Sequence, residues 1–165
     1  MADELLPGMP AVGKKAPAFE LEGSSGNTVS LSGLKGQKVV LYFYPKDDTP
    51  GCTIEAQEFR ASLDKFKKKG AVVLGVSPDD VKSHCKFINK FDLNFELLAD
   101  TGHELCEKYG VWVEKSMYGK KYMGISRDTF LIAPDGTIAQ IWRKATPKGH
   151  AAEVLKAIAR HRQSS

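Results

Sequence analysis

The chain has 165 residues, 42% hydrophobic and 27% charged, which suits one folded domain with its own core and excludes a disordered chain. Its net charge of +4, from 24 basic and 20 acidic residues, is too slight and too scattered to mark a nucleic-acid-binding face. No stretch approaches the ~20 apolar residues of a membrane span, and "MADELLPGMPAVGKKAPAF" lacks the apolar core of a signal peptide, so a cytoplasmic address is expected. Residues 1–16 read as an extended arm containing proline and glycine. "AFELEGSSGNTVSLSGL" predicts two short strands around a turn. Val39–Tyr44 is an unbroken apolar and aromatic run ended by Pro45, the pattern of a strand covered on both faces. From Cys52 to about Lys69, Ile54, Phe59, Leu63 and Phe66 fall on one helical stripe, and Gly70 closes the helix. "AVVLGVS" predicts a second buried strand, and "SPDDVKSHCKFINKFD" a capped amphipathic helix whose inner face carries Val81, Ile88 and Phe91. "FELLAD" reads as a strand and "TGHELCEKYG" as a short helix. The segment 111–127 reads as irregular, its aromatics from Trp112 to Tyr122 lining a substrate mouth or plugging the core. "DTFLIAPDGTIAQIW" predicts a hairpin turning at Pro134-Asp135-Gly136, and "GHAAEVLKAIARHR" a closing helix.

Strands alternating with helices, then a late hairpin, predict an α/β chain. The parallel β-α-β start and β-β-α end are similar to the thioredoxin-like fold. The expected architecture is a central mixed sheet flanked by helices, with an N-terminal β-hairpin extension and a single domain over 1–165. Three cysteines without an export signal argue against a structural disulfide framework, and any disulfide is expected to be transient.

Cys52 stands where the loop after the first core strand meets a helix. In open α/β sheets ligands bind at such carboxyl ends of strands. The first helical turn presents unpaired N–H groups whose partial positive charge stabilises a thiolate, whereas a free thiol with pKa ~8.5 stays mostly protonated at neutral pH. Pro45 and Pro50 stiffen the loop, Gly51 permits close backbone approach, and the Thr49 hydroxyl can turn toward the same space. The residues alone leave two readings open, a reactive thiol and an inert buried one.

The run Pro45-x-x-x-Thr49-x-x-Cys52 resembles the peroxiredoxin signature, and "YFYPKDDTPGCT" is similar to the peroxiredoxin Q (bacterioferritin comigratory protein) branch. "VGKKAPAFEL", "LGVSPDD", "FELLAD", "YGVW", "GISRDTFLI" and "PDGTI" fit the same family in the same order. The resemblance implies thiol-dependent reduction of hydrogen peroxide and alkyl hydroperoxides, without metal or organic cofactor. It makes Cys52 the peroxidatic cysteine, with Arg127 of "SRDTF" favouring the thiolate and binding peroxide oxygen. Thr49 is then the residue that hydrogen-bonds peroxide, and Pro45 the one that shields the sulfur. Glu55 either orients Arg127 or serves as a first-turn helix-dipole carboxylate. The implied reductant is thioredoxin, with glutaredoxin or glutathione as options, and the implied state is a monomer or weak homodimer.

Many relatives carry a second cysteine five residues after the first, where this chain has Gln57. Cys85 is the first candidate to resolve the sulfenic acid, because some relatives place a resolving cysteine one turn further along the same helix. A bond from Cys52 to Cys85 needs Cα atoms within ~7 Å, which implies local unwinding. Cys106, expected on the inner side of its short helix, is the second candidate, and direct attack by an external thiol is the third. His84-Cys85 and His103-x-x-Cys106 lie on two separate helices without zinc-type paired spacing, so no metal site is expected. Cys52 lacks the C-x-x-C of a thiol–disulfide oxidoreductase. A redox sensor using Cys52 and Cys85 without sustained turnover is the remaining alternative.

Overall fold

The fold is a computed structural model describing residues 9–161; residues 1–8 of the expected arm lie outside the described residues. Its centre is a five-stranded mixed sheet of β3 (Lys38–Phe43), β4 (Ala71–Ser77), β5 (Glu96–Ala99), β8 (Thr129–Ile132) and β9 (Ile138–Trp142), ordered β5-β4-β3-β8-β9. The first three run parallel, and β8 and β9 add antiparallel pairs at the other edge. This is the thioredoxin-like arrangement. The arm is tied to the sheet at Gly13–Ala16, where Gly13 N–H donates to Ile138 O at 2.9 Å and Ala16 N–H to Gly136 O at 2.9 Å.

β3 divides the core, because successive strand residues point to opposite faces. Val40, Tyr42 and Tyr44 pack on one side with α1 (Pro50–Lys68) and α4 (His150–His161). Val39, Leu41 and Phe43 pack on the other with Leu105, Tyr109 and Val111, around the short α3 (Glu104–Lys108). With both faces dry, the strand beyond Lys38 has no polar positions, which is why its sequence shows a continuous apolar run rather than an alternation.

α1 begins with Thr49 as N-cap and Pro50 at its first position, where the missing proline N–H costs no bond. Gly70, at φ +74°, follows its C-terminus and donates to Lys67 O. The buried stripe is Cys52, Glu55, Ala56, Phe59, Leu63 and Phe66; Ile54, expected on it, is 43% exposed. The i, i+3/i+4 steps from Cys52 leave Ile54 a half-turn away, and the carboxylate of Glu55 takes the inner position instead. α2 (Val81–Phe91) is capped by Asp80, whose side chain accepts from Ser83 N–H. Its buried residues are His84 and Phe87, so the inner face is rotated from the expected Val81–Ile88–Phe91 line, which is only half-buried.

β1 (Glu20–Glu22) and β2 (Thr28–Ser30) form the expected N-terminal hairpin. The segment expected to be irregular is instead a second one, β6 (Trp112–Met117) paired with β7 (Lys120–Ile125). Tyr118 and Gly119, both at positive φ, make its two-residue turn. Neither strand alternates apolar with polar residues, because most of the hairpin is exposed on both faces.

Candidate active site

The thiol of Cys52 lies in the first turn of α1, at the carboxyl end of β3, and is 2% exposed. Pro45 ends the strand and is half-buried, and Thr53 N–H donates to Thr49 O to open the helix. The Thr49 hydroxyl donates to Lys46 O at 2.8 Å. Its proton is thereby engaged, and its lone pairs remain as acceptors.

Arg127, in the link between β7 and β8, turns both terminal nitrogens to the Cys52 sulfur at 3.5 Å each. Its Nη1 also donates to Glu55 Oε1 at 2.9 Å. The guanidinium therefore bridges two groups on consecutive turns of α1. Gly51 makes room for it, since a Cβ there would lie 3.2 Å from Arg127 Nη2 and 3.4 Å from Pro147 Cγ. Of the two roles expected for Glu55, the contact with Arg127 is the one found, and the side chain is buried rather than facing solvent at the helix end.

Burial pushes the Glu55 carboxyl up to about 7, with the Arg127 charge pulling the other way. Its Oε2 and the hydroxyl of Tyr42 are buried without a hydrogen-bond partner among the described residues. Burial also pushes the Tyr42 hydroxyl well above its ordinary value, and the nearby Glu55 and Cys52 charges add to that. The floor of the site is thus dry and poor in donors, which makes the Arg127 nitrogens more effective.

Several contributors were not read from the sequence. Asp128 is buried and accepts from Ser126 Oγ, Lys144 N–H and Arg143 Nη1, while Ala145 N–H donates to Arg127 O. Those bonds fix the backbone on both sides of Arg127 and so aim its side chain. The signal available was the Ser-Arg-Asp run opening an otherwise apolar strand. Lys115 donates to Ile125 O; burial pushes its ammonium down, repulsion from Arg127 adds to this, and Cys52 opposes it.

The other cysteines are not brought into this cluster, and all three thiols are free. Cys85 is half-buried on α2, with its Sγ donating to Ser24 O at 3.3 Å on the N-terminal hairpin. Cys106 is fully buried, and burial, reinforced by Asp100, pushes its thiol far above the ordinary range. The histidines weighed as metal ligands pair elsewhere. His103 stacks on Trp112 at 4.0 Å and contacts Glu107, and His84 contacts Asp47. Asp47, Asp79 and His84 hold one ligand atom each within 4.8 Å of one another, but hydrogen bonds already engage all three. Of the aromatics from Trp112 to Tyr122, Trp112 packs on the core and Tyr118 and Tyr122 are exposed.

The AhpC/TSA family pattern matches residues 12–141. The chain belongs to that family, in its peroxiredoxin Bcp branch. This peroxiredoxin is 54% identical over 144 residues to the putative peroxiredoxin bcp of Coxiella burnetii, covering 87% of this chain and 95% of that one. It is 51% identical over 147 residues to peroxiredoxin Bcp of Bacillus subtilis, covering 89% and 94%. Among solved structures, Xanthomonas campestris peroxiredoxin Q superposes with a TM-score of 0.87 at 44% identity, over 92% of this chain and 98% of that one. The enzyme is therefore a thiol-dependent peroxidase on a thioredoxin-like fold. Among its described residues no helix is long and apolar enough to cross a membrane.

Proposed function

We propose that this peroxiredoxin reduces hydrogen peroxide and alkyl hydroperoxides at Cys52, with Arg127, Thr49, Pro45 and Glu55 completing the site. The observation that carries the reading is the pair of Arg127 nitrogens 3.5 Å from a sulfur in the first turn of α1. Helix N–H groups and guanidinium both favour negative charge at one point. Alkyl peroxide reduction activity belongs to the similar Xanthomonas campestris bacterioferritin comigratory protein, and we extend that substrate class to this chain.

In the first step the Cys52 thiolate attacks one peroxide oxygen. A sulfur–oxygen bond forms as the oxygen–oxygen bond breaks, and the departing oxygen takes up a proton and leaves as water or alcohol. Arg127 stabilises the charge on that oxygen, and the Thr49 lone pairs accept the peroxide O–H. Pro45 keeps bulk water from the sulfur, and Glu55 holds Arg127 in place. Cys52 is left as a sulfenic acid.

Cys85 then attacks that sulfur, forming a disulfide and releasing water, and an external dithiol such as thioredoxin restores both thiols by exchange. Glutaredoxin or glutathione would serve the same chemistry. Half-burial on α2, whose Ser83 and His84 bond Asp47 in the loop before Cys52, supports Cys85 in this role, and the raised pKa of the Cys106 thiol argues against that residue. The bond to Ser24 O must break before Cys85 can react, and α2 is taken to unwind or shift to bring the two sulfurs together. The enzyme is taken to work in the cytoplasm, as a monomer or weak homodimer.

The test is peptide mapping by mass spectrometry after one equivalent of hydrogen peroxide, without reductant. A Cys52–Cys85 linked pair is expected. Sulfenic acid on Cys52 with no internal link would replace the resolving step by direct attack of an external thiol. Oxidation that spares Cys52 would refute the site.

A further inference from the structure

The loop between β3 and α1 carries the acceptor for peroxide, yet it has little regular structure of its own. Thr49 is held through Lys46 O, so the direction of its lone pairs depends on where the Lys46–Asp47 backbone lies. Lys46 is exposed, and Asp47 is buried and bonded on every side. Its N–H donates to Asp79 Oδ2 at 2.8 Å. Its Oδ1 accepts from Tyr44 O–H at 2.6 Å, and its Oδ2 from Ser83 Oγ at 2.8 Å. The same Oδ2 lies 2.7 Å from His84 Nδ1.

His84 is fully buried, and its Nε2 lies 2.9 Å from Leu98 O. A carbonyl oxygen only accepts, so Nε2 carries a hydrogen. Nδ1 and Asp47 Oδ2, 2.7 Å apart, share one further hydrogen. The arrangement is a buried imidazole–carboxyl pair between α2 and the loop. Such a pair is a weak source of stability relative to apolar packing, but it fixes geometry sharply, because buried polar atoms that lose their partner find no water to replace it. Asp79 anchors the second bond of the loop and is itself held by Ser77 Oγ at 2.8 Å.

We infer that Asp47 and His84 are positioning residues for the peroxide-reducing step: through their buried pair, α2 holds the Lys46–Thr49 loop so that the Thr49 hydroxyl is set to receive a peroxide. This rests on the reading of Cys52 as the attacking thiol and Thr49 as the acceptor. The helix is then used twice. Docked, it organises the loop for peroxide. Displaced to deliver Cys85, which directly follows His84, it pulls the imidazole from Asp47 and releases the loop.

The test compares two rates at Cys52 in the full chain: stopped-flow oxidation by hydrogen peroxide, and alkylation by iodoacetamide. Alkylation requires the thiolate and access but no acceptor for peroxide. The variants are Asp47→Asn, His84→Gln and His84→Asn. The asparagine amide nitrogen takes the place of Nδ1 and keeps the bond to Asp47, whereas that of glutamine takes the place of Nε2 and loses it.

Asp47→Asn and His84→Gln are expected to slow peroxide oxidation about 10-fold or more with alkylation within about twofold of wild type, and His84→Asn to recover most of the rate. Unchanged peroxide rates in both slowed-type variants would overturn the inference. So would equal falls in both reactions, which would make the pair a general support of the fold. If circular dichroism shows Asp47→Asn or His84→Gln unfolded, Ser83→Ala decides, since it removes one donor from the same carboxylate. A selective fall in peroxide rate supports the inference and no change overturns it. A wild-type Cys52 that peroxide does not oxidise would refute the site itself, and is thereby distinguished from a reactive wild type with unaltered variants.

Discussion

Replacing Glu55 by glutamine tests whether the floor of the site is dry. Its carboxyl is raised from an ordinary 4.5 to about 7, chiefly by burial, although Arg127 donates to it at 2.9 Å. Because the folded value lies above the unfolded one, the fold binds an extra proton between those two values. The associated stability is complete below pH 4.5, falls as pH rises, and is lost once pH has passed through about 7. One pKa unit corresponds to about 1.4 kcal/mol, so the ionised carboxylate costs the fold on the order of 3 kcal/mol at pH 8. The side chain is only 1% exposed, so solvent screening does not reduce that figure much. Glutamine mimics the protonated acid: it accepts from Arg127 and never ionises. Wild type and Glu55→Gln should therefore melt together near pH 4, while at pH 8 the variant should melt about 6–12 °C higher. Thermal unfolding followed by circular dichroism from pH 4 to 8 measures this. A variant that loses stability in parallel with wild type would refute the reasoning, as would one less stable at pH 8, where the ion pair would then outweigh desolvation.

Arg127→Ala removes both donors from the Cys52 sulfur and should slow peroxide oxidation about 10²–10³-fold in stopped-flow measurements; a fall below about tenfold would remove Arg127 from the reaction. Gly51→Ala should displace the guanidinium by crowding Nη2 at 3.2 Å, lowering the same rate about tenfold with little change in melting temperature. A rate equal to wild type would mean that Arg127 adjusts without cost. Cys106→Ala should leave steady-state turnover with thioredoxin intact, because the buried thiol resists ionisation. Loss of turnover with sulfenic acid accumulating on Cys52 would instead make Cys106 the resolving residue.

What the sequence disclosed was set by how local each signal is. The Val39–Tyr44 run announced a strand buried on both faces because that burial requires apolar residues at every step. The turn residues around Pro134 and Gly136 announced the late hairpin, while the β6–β7 hairpin escaped because its exposed strands carry no periodic pattern. Ile54 misled, since period 3.6 alone could not show that Glu55 occupies the inner position. Cys52 and Arg127 are 75 positions apart, and only the family motif joined them before the fold did. Asp128, Asp47 and His84 were hidden for a related reason. Each acts through bonds to partners that the chain path brings together, and a lone aspartate or histidine says nothing of what it will face.

The burial of Cys52 has a consequence for the order of events at this enzyme. Cys52, 2% exposed and with its sulfur under a guanidinium, is closed to the bulky disulfide or thiol of another protein. If oxidation draws α2 away as proposed, the resting enzyme is in effect a sieve: oxidant enters first, and a protein reductant meets the sulfur only afterwards. The resting thiol is thereby spared idle exchange with the disulfides of other proteins.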